Sequence, residues 1–101
     1  MNKREQLRLV KAMSKITTEG EKYNRQTGKY EPAMVMPTLI LDRDESNQVM
    51  LSAEDGGYFA DYYGEFRGGY PWIDPRVEKA AERLGFYWEW ENAAVLTAYE
   101  S

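Results

Sequence analysis

The stretch Asp74-Pro-Arg-Val-Glu-Lys-Ala-Ala-Glu-Arg-Leu-Gly-Phe-Tyr-Trp-Glu-Trp-Glu91 changes its period half way along, and that change decides the fold class. In its first half Val77, Ala80, Ala81 and Leu84 recur with a helical period, while Arg76, Glu78, Lys79, Glu82 and Arg83 fill the other face. Asp74 stands where an N-cap belongs and Pro75 at the first helical position, where a missing N–H costs nothing. Gly85 is the stop. In the second half the period drops to two. Phe86, Trp88 and Trp90 take one side and Tyr87, Glu89 and Glu91 the other, as in a strand with one face buried. Asn92 turns the chain and residues 94–99 return as the second arm of a hairpin. A helix feeding a hairpin predicts an α+β fold.

Immediately upstream lies Gly56 to Pro75, GGYFADYYGEFRGGYPWIDP, with seven aromatic residues and five glycines in twenty. Residues 64–73 read as a glycine- and aromatic-rich loop. Residues 58–63 read as a strand, with Tyr58, Ala60 and Tyr62 on one face and Phe59, Asp61 and Tyr63 on the other. Glu54-Asp-Gly-Gly57 joins it as a hairpin turn to a strand at 48–53, whose Val49, Leu51 and Ala53 share a face. Before the polar turn at 42–47, residues 33–41 (AMVMPTLIL) predict a buried strand with an edge or bulge at Pro37. Asp42, Asp44 and Ser46 imitate the start of a calcium loop. Asn47 and Ala53 stand where such a loop needs Gly and Glu, so a hairpin turn is the expectation.

At the N-terminus Leu9, Met13 and Ile16 mark a helix over about 3–17, with Asn2 and Glu5 spaced as a capping box. Gly20 reads as the end of that helical region. Residues 23–30 form a turn with Gly28 at a position of positive φ, and 18–31 is expected to be a mobile arm or loose hairpin. The whole predicts one globular α+β domain over 1–101. Its two layers are a largely antiparallel sheet of about five strands and two helices, in the order α-β-β-β-α-β-β.

Composition restricts the chemistry. The chain has neither Cys nor His, so disulfides, thiolate metal sites, histidine ligands and His-based nucleophilic catalysis lose their usual residues. No cofactor and no enzymatic activity are expected. The carboxylates near aromatics, including Asp74, Glu89 and Glu91, would suit a glycosidase, but a chain of 101 residues leaves little room for a deep cleft. No secretory signal and no membrane span are read, and a cytoplasmic location is the expectation.

Charge is divided unevenly. Residues 1–30 hold eight Lys/Arg against three Asp/Glu; residues 31–101 hold five against fourteen. On the N-terminal helix Arg4, Arg8, Lys11 and Lys15 form a basic stripe. It is either a solvated face or a phosphate contact, and the lack of an aromatic among them favours the former. The aromatic rings are either plain core or a recognition surface, where Tyr and Trp give large contact areas with few rotors. The expected function is a non-catalytic interaction protein that binds a basic protein partner through Asp61, Tyr62, Tyr63, Glu65, Tyr70 and Trp72. In size and charge the chain is similar to small inhibitors of nucleases and CRISPR effectors made by phages and plasmids, where carboxylates imitate a phosphate backbone. No motif carries that likeness. The alternatives are nucleic-acid binding through the basic stripe and a small-molecule pocket in which Tyr62, Tyr63, Tyr70 or Trp72 stacks on a base or sugar.

Overall fold

The computed structural model describes residues 1–42, 44, 46–54, 57–64 and 71–101. Helix α1 spans Lys3–Ser14 and buries Gln6, Leu9 and Met13. Its capping box is formed: Glu5 N–H donates to Asn2 Oδ1 at 2.8 Å and Asn2 N–H donates to the Glu5 carboxylate at 2.9 Å. The helix ends three residues short of the predicted 17. Ile16-Thr17-Thr18 is a β-branched run that disfavours helix. The Lys15 and Ile16 N–H groups close onto the Ala12 and Met13 carbonyls, which tightens the last turn.

Strands β1 (Thr18–Asn24) and β2 (Lys29–Val35) form a regular antiparallel hairpin, from Thr18 opposite Val35 to Asn24 opposite Lys29. Gly28 turns it with φ +68°. Gly20 does not end the helical region as expected; it lies inside β1, opposite Ala33. The reason is a close approach. A Cβ on Gly20 would come within 2.9 Å of both Tyr58 Cζ and Val35 Cγ2. Tyr58 also accepts a hydrogen bond from Glu21 N–H at 3.2 Å, so its ring ties the base of the hairpin to the body. Gly20→Ala is therefore expected to cost about 1–3 kcal/mol by overpacking. Chemical denaturation checks this, and an unchanged midpoint would mean that the ring moves aside freely.

The apolar run at 33–41 is not one buried strand. Val35 closes β2, and β3 is the separate segment Leu39–Leu41, in another sheet. Pro37 sits between them. It has no N–H for a ladder and restricts the residue before it, so pairing ends there. Ile40 and Leu41 are exposed, as an edge strand allows. Strand β4 (Val49–Ser52) keeps its predicted alternation, with Val49 and Leu51 fully buried.

The predicted strand at 58–63 is corrected. Only β5 (Ala60–Asp61) is extended in a ladder, and it pairs with β6 (Trp72–Ile73), not with β4. Phe59, Ala60 and Asp61 are buried in succession, which a strand with one wet face cannot achieve. This segment runs under the start of the second helix, where Asp74 N–H donates to the Phe59 carbonyl at 2.8 Å. Of the predicted turn at 54–57, Asp55 and Gly56 lie outside the described residues.

Helix α2 (Pro75–Arg83) starts as predicted. Asp74 accepts from Arg76 N–H at 2.8 Å, and Gly85 follows the helix with φ +86°. Strands β7 (Phe86–Asn92) and β8 (Val95–Glu100) form the predicted hairpin, with a register shift between Trp90 and Asn92. The main sheet has the order β3-β4-β8-β7, antiparallel throughout. Val49, Leu51, Phe86, Trp88, Leu96 and Ala98 line one face and meet Leu9, Met13, Val77 and Ala81 from the helices. The fold is a small α+β arrangement with two helices, as expected. Among the described residues, however, eight strands in three sheets replace the expected single sheet of about five strands, and six of them, β1 to β6, precede α2.

Candidate functional site

The aromatic stretch divides between core and surface. Phe59 is fully buried. Tyr62 is half-buried, with its ring edge-on to Trp90 at 5.1 Å and 73° and to Tyr63 at 5.1 Å and 86°. Tyr63 is 63% exposed. The three rings thus step outward from a strand of the main sheet to solvent, each in the edge-to-face geometry that aromatic quadrupoles favour. Trp90 Nε1 is buried with no acceptor among the described residues, so packing holds that ring in place.

Asp61 and Trp72 face each other across the β5–β6 pair. Trp72 is half-buried, and Asp61 lies beneath the surface of the free protein. Glu65 and Tyr70 lie outside the described residues. The structure therefore brings Asp61, Tyr62, Tyr63 and Trp72 into one region, with Tyr63 its solvent-facing ring.

A second aromatic pair was missed from the sequence. On the outer face of the β7–β8 hairpin Tyr87 and Tyr99 are directly opposite, with ring centroids 6.0 Å apart. Tyr99 Oη donates to the Glu91 carboxylate. That hydrogen bond raises the Tyr99 hydroxyl above the usual tyrosine range, helped by burial and by the charges of Glu91 and Glu89. Alternation alone placed Tyr87 beside Glu89 and Glu91; the hairpin register was the signal that would have added Tyr99. From residue 86 to the last residue there are three Glu and no Lys or Arg, so this outer face is acidic as well as aromatic.

The basic stripe is solvent-facing: Arg4, Arg8, Lys11 and Lys15 are all exposed, on the side of α1 away from Leu9 and Met13. The calcium-like oxygens serve the turn instead. Asp44 Oδ1 accepts from both the N–H and the hydroxyl of Ser46, which holds the Asp44 carboxyl below its ordinary range. Among the described residues no group of three or more Asp/Glu is gathered for a metal. Two open cavities flank Tyr58 at the base of the β1–β2 hairpin and a third lies between the helices; none of these three is lined by Tyr62, Tyr63 or Trp72. No helix among the described residues is long and apolar enough to cross a membrane.

Comparison with protein-family models, with curated proteins and with solved structures returns no match to this chain.

Proposed function

We propose that this protein is a non-catalytic interaction module that holds a basic protein partner against its acidic, aromatic surface. The observation that carries this reading is Tyr63, an exposed ring seated on the Tyr62–Trp90 stack. A ring already held by its neighbours gives contact area at little entropic cost, which is what an interface hot spot requires. The charge around it supports a basic partner. Residues 44–66 contain six Asp/Glu and no Lys or Arg, and the Tyr87–Tyr99 face adds Glu89 and Glu91. A partner that itself binds nucleic acid through a cationic groove fits the same charge. Occupying that groove would make this protein an inhibitor by imitation of a phosphate backbone. We place the encounter in the cytoplasm, since a chain without cysteine suits a reducing compartment.

The test is affinity capture from the host by the wild-type protein and by two variants, Tyr63→Ala and Glu89→Lys/Glu91→Lys, followed by titration with the partner recovered. Tyr63→Ala should weaken binding by at least ~2 kcal/mol. The charge reversal should slow association, and added salt should slow it in the wild type. A partner bound equally by all three proteins, or an acidic one, would overturn the proposal.

A further inference from the structure

Helices α1 and α2 leave a groove of about 520 Å³ between them, floored in part by Ala12 and Ala80 and rimmed by Lys15, Arg76, Lys79 and Arg83. No carboxylate lines it. Arg76 is the rim cation with an acidic partner: its guanidinium pairs with Asp74 at 2.8 Å, and its Nη1 donates to the Thr17 carbonyl at 2.9 Å, tying α2 to the end of α1. Lys15, Lys79 and Arg83 make no salt bridge among the described residues. The dipoles of α1 and α2 favour a cation at the C-terminal end of each helix, which accounts for Lys15 and Arg83 singly. It does not account for two rows of cations with the same period. Arg8, Lys11 and Lys15 on α1 and Arg76, Lys79 and Arg83 on α2 each recur at three and then four residues, about 4.5–6 Å per step along a helix. Arg4 extends the first row by another turn.

We propose that this two-helix groove is a binding site for the phosphate backbone of a nucleic acid. Repeated cations match a polymer with a charge on every unit better than a peptide with charges at chosen positions. Half of the lining is cationic and the apolar half is the aliphatic set Ala12, Ile16, Ala80 and Leu84, so charge is what the rim presents to a ligand. Glu78 and Glu82 share the exposed part of α2 with these cations but do not line the groove, and the acidic sheet face does not cancel the field. Packed layers lie roughly 8–10 Å apart, and the α1 cations project from the side facing away from the core, so more than a Debye length of about 8 Å intervenes. No aromatic residue lines the groove, so bases are not stacked there and sequence preference is weak. Duplex should bind more tightly than single strand, because it carries one charge per ~1.7 Å of axis rather than per ~3.4 Å.

Fluorescence anisotropy tests this with three labelled probes: a mixed-sequence duplex of about 20 base pairs, an oligothymidylate of about 20 nucleotides, and polyglutamate of matching length, from about 50 to 200 mM salt. The duplex should bind, with log affinity falling linearly against log salt. Lys79→Gln/Arg83→Gln should weaken binding at least ~10-fold at low salt and flatten the salt slope by about 2. Both side chains are exposed, and circular dichroism should show the double variant folded. Tyr63→Ala should bind duplex like wild type, which keeps this result separate from that of the aromatic surface. The proposal is overturned by no duplex binding at low salt or by a double variant that binds as wild type. It is equally overturned by polyglutamate binding as well as duplex, or by acidic-peptide binding alone.

Discussion

Phe59→Ala is expected to destabilise the protein by about 3–5 kcal/mol, while Tyr63→Ala, in the same aromatic stretch, should cost no more than about 1 kcal/mol. Phe59 heads the fully buried side chains by volume and is 0% exposed. Removing its ring leaves a cavity beneath the start of α2, where the Phe59 carbonyl accepts from Asp74 N–H. Tyr63 is 63% exposed, so its truncation removes far less buried surface. Single domains are held by only ~5–15 kcal/mol, so the first change removes a large share of the total and the second does not. Parallel urea titrations of the two variants measure the contrast. Similar losses from both would show that Tyr63 belongs to the core, and the interaction surface would then lose its central ring.

Trp88→Ala is the second large expected effect, again about 3–5 kcal/mol. Trp88 is 8% exposed on the core face of β7, and its Nε1 donates to the Val77 carbonyl of α2 at 3.2 Å. The ring is both a packing element and a polar tie between the helix and the sheet. Trp88→Phe separates the two roles. It keeps most of the apolar volume and gives up a hydrogen bond worth about 1 kcal/mol, and the Val77 carbonyl keeps its helical donor four residues on. The expected order of denaturation midpoints is therefore wild type, then Phe, then Ala, with the Phe variant nearer to wild type. An alanine variant as stable as wild type would show that α2 is not locked to the sheet through this residue.

What could be read directly from the chain lies within a few residues of itself. The Asn2–Glu5 capping box, the Asp74-Pro75 start, the Gly85 stop and the Phe86–Trp88–Trp90 alternation are local patterns, and each is present in the structure. They suffice for an α+β fold with two helices and antiparallel strands, because caps and periods act through backbone groups one turn or one pleat away. They were not enough for residues 33–41 and 58–63, whose apolar content resembles a buried strand in either case. Pro37 divides the first between two sheets, and Phe59, Ala60 and Asp61 are buried in a row in the second.

The β7–β8 hairpin was legible locally, but strand pairing beyond neighbouring hairpins was decided by tertiary packing. β4 pairs with β8, far along the chain, and not with the residues that follow it, since long-range pairing depends on which faces the helices cover. Gly20 shows the same at a single residue: its place within β1 follows from the ring of Tyr58, thirty-eight positions away in the chain. The candidate sites divide in the same way. The exposure of the α1 stripe follows from helical period, but its neighbours Lys79 and Arg83 come from the packing of α2 beside α1. Composition could name the aromatic residues of 56–75; only the packed structure makes Phe59 core and Tyr63 surface, because burial depends on what the rest of the chain lays over each ring.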